Sequence, residues 1–454
     1  MRVDVAVIGA GQAGTPLARG LAEVGRQVAL IERTHLGGSC VNFGCTPSKA
    51  MIASARIAAD ARHAADWGIS VGPVRVDFAA VMRRARGMAA ASRGELDEAL
   101  ENSANPTLVR AHARLDGREG ELFRVRAGDG VILAREVVLD VGTRSLLPPI
   151  DGLDGVDPIT AENWIDLERL PRHLLVMGGS YIGLELAQAY RRLGAEITVV
   201  QNGPRLAERE DEDVSDAIRA ILEEEGIRVL CGAEVRRAER TADGVRLVLA
   251  DTVLDGSDLL VAVGRKPNTD TLGLDTVGVR LDDKGLVEVD ERLSTSVPGI
   301  WAAGDIRGGP AFTHTAYADH SVLMNQIAGD RTKTTQGRIV PYAMFLDPEL
   351  GRVGLSEKEA REKNIDLRIG RREMKNSGKA QELGKDKGFI KVLVDGDSNR
   401  LVGAACLCER GSDVVQLFAE LMNAGAPAGV MRDAIHIHPT IGEAAKNAVV
   451  DALS

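Results

Sequence analysis

The chain has 454 residues, a formal net charge of −10 and 44% hydrophobic residues, with a sequence pI near 5.5 and a mean hydropathy of −0.06. That length exceeds one hydrophobic core and points to about three domains. The acidic balance argues against nucleic acid as a partner, because gripping a phosphate backbone takes concentrated Lys and Arg. Aromatic residues make up only 3%, so the cores must be built from Ala, Val, Leu and Ile.

Met1 to Ala6 runs straight into an apolar strand, without a basic stretch or cleavage site, so no secretory signal is expected. No uninterrupted apolar run is long enough to span a bilayer, and no membrane partner is expected. Five cysteines do not make a disulfide-scaffolded secreted protein; in a reducing compartment a close pair is more often redox-active or metal-binding. The expected location is the cytoplasm.

Val3 to Ile8 reads as a short strand entering Gly9-Ala10-Gly11-Gln12-Ala13-Gly14, then a helix to Gly25 and a strand from Val28 to Ile31 that ends in Glu32. The glycines allow a tight turn and close approach of a pyrophosphate, and the carboxylate stands where a ribose hydroxyl would be held. A merely structural glycine turn would not need both strands, the helix and the acid.

The next segment, Gly37-Gly38-Ser39-Cys40-Val41-Asn42-Phe43-Gly44-Cys45-Thr46-Pro47-Ser48-Lys49, places two thiols five residues apart and reads as a catalytic disulfide beside a flavin. On a regular helix such residues lie about 140° apart around the axis and roughly 8.7 Å apart Cα to Cα, too far to bridge. The reading therefore requires an irregular turn, with Gly44 supplying backbone freedom and Pro47 disrupting the hydrogen-bond ladder. A helix beginning near Cys40 would lower that thiol's pKa with its positive end.

Val125 to Val141 alternates apolar residues among turns and reaches Gly142-Thr143; Pro148-Pro149 and Gly152 then mark a crossover between domains. The strand–glycine–helix–strand pattern returns at Leu174 to Met177, Gly178-Gly179-Ser180-Tyr181-Ile182-Gly183, a helix to Leu193 and a strand from Glu196 to Val200. Ser180 replaces the middle glycine and is small enough to permit close approach. Gln201 stands where an acid would read a free ribose. Loss of the acid removes a preference for NAD, and Arg205 and Arg209 either meet a 2′-phosphate or pair with the acidic run Glu208 to Asp213.

A further strand, Leu259 to Val263, ends at Gly264-Arg265-Lys266-Pro267-Asn268. Ile300 to Ala303 leads into Gly304-Asp305 and a helix from Thr313. From about Ile339 the pattern changes to strands (Phe389 to Val394, Leu401 to Leu407) and helices (Val414 to Ala424, Ala444 to Leu453), as in a separate α+β domain. Cys406 and Cys408 supply two sulfurs where a structural zinc wants four ligands, and in a strand both point to one face. They and Cys231 are expected to be buried core thiols, and no metal site is expected.

These pieces in this order resemble the class I pyridine nucleotide-disulfide oxidoreductases, the family of glutathione reductase, dihydrolipoamide dehydrogenase and mercuric reductase. The most specific elements are residues 37–49, Ala303-Gly304-Asp305, and His436-Ile437-His438-Pro439-Thr440 with Glu443. The resemblance implies an α/β fold with two Rossmann-like dinucleotide-binding domains and a C-terminal α+β dimerisation domain. Its divisions are 1–150 for the first part of an FAD domain, 151–270 for an NAD(P) domain, 271–335 for the return to the FAD domain and 336–454 for the interface domain.

The resemblance also implies roles. Cys45 would exchange electrons with the flavin and Cys40 would attack the substrate. His438, oriented by Glu443, would supply the proton for the leaving sulfur from the other subunit of a homodimer, with His436 supporting. Lys49 would pair with Glu185 near the flavin, the alternative being two ordinary surface charges. Asp305 would hold the flavin ribityl chain, or else cap a helix, and Tyr181 would cover the nicotinamide pocket or serve as a core tyrosine needing a partner for its hydroxyl. Further cofactor contacts are expected at Gly9, Gly11, Gly14, Glu32, Ser39, Ala113, Gly142 and Thr143, and at Gly178, Ser180, Ile182, Gln201, Arg205 and Gly264.

The expected function is transfer of electrons from NAD(P)H, with NADPH slightly favoured over NADH, through FAD and the Cys40–Cys45 pair to a disulfide or other oxidised sulfur acceptor. One alternative is a small-electrophile reductase of the hypothiocyanous acid or mercuric reductase type. Residues 308–313 and 341–345 look closer to that branch, whereas the absence of a cysteine pair in Asp451-Ala452-Leu453-Ser454 argues against mercury. Another is the dihydrolipoamide dehydrogenase component of a multienzyme complex, against which Gln201 speaks.

Overall fold

The computed structural model describes residues 1–454. β1 (Arg2–Ile8) leads through the first glycine turn into α1 (Gly14–Glu23) and β2 (Val28–Glu32). α2 (Gly38–Asn42), α3 (Cys45–Arg62) and α4 (Phe78–Glu101) precede β3 (Thr107–Arg110), and a meander follows: β4 (Ala113–Glu119), β5 (Leu122–Ala127) and β6 (Gly130–Leu139). The sheet order is β3-β2-β1-β6-β5-β4. β1 runs parallel to both β2 and β6; helices cover it, and Val5, Ala6, Val7 and Ile8 are all buried, as in a central parallel strand.

After the short β7 (Thr143–Ser145), a second unit begins with β8 (His173–Met177), α5 (Tyr181–Leu193), β9 (Glu196–Val200), α6 (Glu212–Glu224) and β10 (Arg228–Leu230). An antiparallel sheet of β11 (Val235–Thr241), β12 (Gly244–Leu249) and β13 (Val253–Gly256) follows, and β14 (Asp258–Val261) then joins β8, giving the order β10-β9-β8-β14. β15 (Arg265–Pro267) pairs back with β7. β16 (Ile300–Ala302) adds to the first sheet beside β6, in parallel, so the chain returns to its first unit before α7 (Thr313–Ala328).

The C-terminal sheet contains β17 (Tyr342–Met344), β18 (Glu349–Gly354), β19 (Leu367–Glu373), β20 (Phe389–Asp395) and β21 (Leu401–Cys408), in the order β17-β18-β21-β20-β19. Its core is built from small and branched residues. Ala444, Ala445, Ala448 and Val449 of the helix Ile441–Leu453 pack with Ile390, Val392 and Val394 of β20. Cys406 and Cys408 are fully buried there, and burial pushes both thiols up. Cys231 differs from expectation: it follows the edge strand β10 and is only half-buried. No helix is long and apolar enough to cross a membrane.

Candidate active site

Residues 38–49 fold as two helices with a break at Phe43–Gly44. The Gly44 N–H donates to the Ser39 carbonyl at 2.6 Å, and a Cβ at Gly44 would stand 2.8 Å from that oxygen. Close approach of the chain to itself is therefore what requires glycine. The Phe43 carbonyl accepts the Trp164 indole N–H at 2.7 Å, fixing the break from outside.

Two expectations are corrected here. Pro47 does not interrupt a helix; it lies in the first turn of α3, where a missing N–H has little consequence. Nor does Cys40 head the helix that matters electrostatically. α2 starts at Gly38 and has 5 residues, whereas Cys45 opens the 18-residue α3 and meets its positive end.

The thiols are unbridged in this structure. Cys45 is pulled down to about 6, first by the hydrogen bond from Cys40, against the opposing effect of burial, with further help from the Thr313 hydroxyl and the Lys49 charge. Cys40, which gives that hydrogen bond, is pushed upward and stays a thiol. Cys45 Sγ lies 3.1 Å from Thr313 Oγ1, at the start of α7. The pair is thus a thiolate stabilised by a neighbouring thiol and a hydroxyl.

Lys49, one turn along α3 from Cys45, pairs with Glu185 of α5 at 2.7 Å. Glu185 is buried, and its other oxygen accepts the Phe345 N–H at 2.8 Å. The Lys49 ammonium also lies 4.5 Å from the Phe345 ring centroid. This is a built cation site, not two surface charges.

These groups share a cavity of 480 Å³ with Gly9, Gly11, Glu32, Ser39 and Ala113. Gly142, Thr143, Ile182 and Asp305 line it too. Gly9 has φ +102°, and a Cβ there would stand 2.2 Å from the Asp140 carbonyl oxygen. Glu32 accepts the Ala10 N–H at 3.0 Å, bracing the turn. Asp305 accepts the Thr143 hydroxyl at 3.2 Å; the residue preceding its short helix is Ala303, so Asp305 is not the cap. A bare glycine turn, an acid at the end of β2 and a third segment bearing Asp305, all opening onto one cavity beside the cysteines, fit a flavin dinucleotide.

Of the second glycine turn only Ile182 reaches this cavity, together with Glu185 and Leu186 of α5. Gly178 has φ +113°, and Ser180 precedes α5 without a side-chain capping bond. Gln201 accepts the Gly179 N–H at 2.8 Å and donates to Glu208 at 2.9 Å. Arg205 is held by Glu212 at 3.1 Å and by Asp216, so acidic neighbours from α6 occupy it. Gly264, with φ +146°, is a joint between β14 and β15 and does not line the cavity, although Arg265 does. Gly14 also lies off the cavity wall; its N–H is bound to Asp140 at 2.7 Å.

Tyr181 donates to Glu210 at 2.7 Å, Tyr342 donates to the same oxygen at 3.0 Å, and Arg352 holds the other oxygen at 2.8 Å. Glu210 and Arg352 are both buried, so this is a paired charge fixing the second unit onto the C-terminal sheet. His438 Nδ1 is 2.8 Å from Glu443 Oε2. The pair lies outside the cysteine cavity of its own chain, with the His438 side chain 76% exposed. His436 is half-buried and hydrogen-bonds the Ala434 carbonyl.

Sequence reading missed Asp140, Thr313 and Trp164. For Asp140 a signal existed, a lone acid closing the apolar run Val137-Val138-Leu139; Thr313 and Trp164 carry none, since their partners are 268 and 121 residues away.

Residues 3–319 match the pyridine nucleotide-disulphide oxidoreductase family model, and residues 340–449 match the dimerisation domain of the same family. The chain belongs to that family. It is 34% identical over 459 residues to a dihydrolipoyl dehydrogenase of Chlorobaculum tepidum, covering 99% of this chain and 97% of that protein. It is 33% identical to a mercuric reductase of Streptomyces lividans, over 98% and 94% of the two chains. Among solved structures, a Cu(II) complex of the HOCl-induced flavoprotein disulfide reductase RclA from Escherichia coli superposes with a TM-score of 0.91 at 28% identity, covering 99% of both chains. The protein is therefore an FAD-dependent NAD(P)H:disulfide oxidoreductase with a mixed α/β fold and a dimerisation domain.

Proposed function

We propose that this oxidoreductase works as a homodimer in which Cys45 and Cys40 carry two electrons from the flavin to an oxidised sulfur acceptor, with His438 of the second subunit handling the proton. The observation that carries the reading is the Cys45 thiolate, set between Cys40, Thr313 and the Lys49–Glu185 pair on the wall of the glycine-lined cavity. Residues 1–150 with 271–335 would hold FAD, 151–270 the nicotinamide cofactor, and 336–454 the second subunit. Gly9, Gly11, Glu32, Ser39, Thr143 and Asp305 are the groups placed to hold FAD, which when bound supplies a two-electron carrier between hydride and dithiol chemistry.

In the outgoing half-reaction, Cys40 gives up its proton and attacks one sulfur of the acceptor; the S–S bond breaks and the leaving thiolate takes a proton. Cys45, already a thiolate, then attacks Cys40 in the mixed disulfide, leaving the Cys40–Cys45 disulfide and releasing the second sulfur as a thiolate that takes its proton from solvent. Two electrons and two protons have reduced one disulfide to two thiols. Glu443 on His438 Nδ1 leaves Nε2 to hold and deliver the proton. Ile435 and Ile437, 101% and 80% exposed, flank the histidines, which supports a second subunit covering this face.

For the electron donor, the occupied Arg205 and the carboxylate of Glu208 beside Gln201 favour NADH, because a 2′-phosphate would meet negative charge. This reverses the preference drawn from Gln201 alone.

The test is anaerobic titration with NADH and NADPH. A long-wavelength absorbance that is abolished by Cys45→Ser supports the dithiol route, and full turnover with both cysteines replaced would end it. A second reading, reduction of a small sulfur electrophile such as hypothiocyanite, is favoured by the likeness to the HOCl-induced RclA. Turnover with hypothiocyanite in preference to glutathione disulfide and lipoamide would select it.

A further inference from the structure

Asp140 closes β6 and carries a carboxyl group into the first glycine turn. It is 7% exposed. Oδ2 accepts the Gly14 N–H at 2.7 Å, at the head of α1. A Cβ on Gly11 would stand 2.8 Å from Oδ2, and one on Gly304 would stand 2.8 Å from Oδ1. Oδ1 has no protein hydrogen-bond partner, and Asp140 is part of the cavity wall. The turn that should receive a diphosphate therefore already contains an acid with one oxygen free toward the ligand.

The surroundings make that acid's charge decisive. From α1 it meets only backbone N–H groups. Burial is the largest effect raising its proton affinity, the Gly14 and Ala13 N–H groups oppose it, and Asp305 on the cavity wall and the fully buried Asp319 add to the rise. The cations nearby are committed to Asp319, Arg307 at 2.7 Å and Arg338 at 2.6 Å. Glu32, on the other side of the turn, is bound to the Ala10 N–H. A diphosphate adds further negative charge beside Asp140, and the one unpaired guanidinium on the cavity wall, Arg33, is exposed and follows Glu32 at the end of β2.

We propose that Asp140 is the proton-bearing acid of the FAD pocket: protonated, its free oxygen donates to the bound dinucleotide, and ionised, it repels the diphosphate, so that FAD is held less tightly as pH rises. The role rests on FAD occupying this cavity and is independent of the acceptor or the cysteine chemistry. The sign follows from linkage. A bound diphosphate raises the proton affinity of Asp140 above its value in the FAD-free chain, so affinity is full below the FAD-free pKa and falls above it.

The test is FAD release from the holoenzyme, followed by flavin fluorescence from mildly acidic to alkaline pH, in the wild type and in Asp140→Asn. The amide keeps the shape and a donor but cannot ionise. The wild-type dissociation constant is expected to rise by up to about tenfold per pH unit above the FAD-free pKa, and that of Asp140→Asn to stay flatter by the same factor. Other titrating groups act on both proteins, so the difference isolates Asp140. Parallel curves would overturn the proposal. Should the variant not fold, calorimetric binding of FAD to the wild-type chain in buffers of different ionisation heat, across the same pH range, gives the answer directly: uptake of up to about one proton per FAD where the affinity falls supports it, and no uptake anywhere in that range overturns it. Failure of either protein to hold FAD at any pH would remove the cofactor assignment together with this role.

Discussion

The depressed Cys45 thiol makes an ordered prediction. Its pKa falls to about 6 because the Cys40 thiol, the Thr313 hydroxyl and Lys49 favour the thiolate, in that order, against burial. A hydrogen bond to a charged group makes a net contribution of about 1.5–3 kcal/mol, and one pH unit corresponds to about 1.4 kcal/mol. Thr313→Val should therefore raise the Cys45 pKa by about one to two pH units. Cys40→Ala should raise it more. Lys49→Met should raise it less, since the ammonium is shared with Glu185 and its side chain is 33% exposed. The assay is the long-wavelength thiolate–flavin absorbance of the holoenzyme as a function of pH. The group is depressed, so the band is present above the pKa and is lost as pH falls through it, near pH 6 in the wild type. A Thr313→Val curve superimposed on the wild type, or a Lys49→Met displacement exceeding that of Cys40→Ala, would refute the assignment of causes.

Three further outcomes follow from the site. His438→Gln should lower turnover by about 10²–10⁴-fold while leaving reduction of the flavin by NADH near wild type. Co-folding it with Cys40→Ser should restore about a quarter of the activity, because half of the dimers then carry one complete site; no restoration would place His438 in its own subunit's chemistry or in none. Lys49→Met should slow flavin reduction by about 10²-fold in stopped flow, and an unchanged rate would reduce the Lys49–Glu185 pair to a structural tie. Glu208→Ala should raise kcat/KM for NADPH relative to NADH, by about tenfold for removal of one charge near a phosphate; an unchanged ratio would return the preference to Gln201 or Arg209.

The sequence made legible whatever is encoded by local spacing. Both glycine turns, the acid ending β2 and the five-residue thiol spacing follow from short-range geometry, and they lie where strand–turn–helix patterns put them. What spacing cannot carry is contact between distant segments. Gln201 read alone as the loss of a ribose acid, yet the side chain that compensates, Glu208, stands 7 residues on in the same loop and only the folded loop brings the two together. Pro47 read as a breaker because proline interrupts helix interiors, but it stands in the first turn, and the break belongs to the close Gly44–Ser39 approach. Thr313 could not be found by pattern, since it becomes functional only by ending opposite a sulfur 268 residues earlier in the chain.

The Lys49 site shows why such contacts decide function. Its ammonium comes from the first unit, its counter-charge Glu185 from the second, and the N–H that orients Glu185, at Phe345, from the C-terminal sheet. The carboxylate is buried, and these two partners satisfy one oxygen each. The second unit is also clamped to that sheet through Glu210 and Arg352, whose pairing is fully shielded from water. The cation beside the thiolate is therefore held in place by packing between units as much as by the helix that bears it. A substitution at Arg352, remote from any reacting atom, strands the Glu210 charge and should loosen the Glu185–Lys49 geometry with it, so its effect belongs in the rate of flavin reduction as well as in stability.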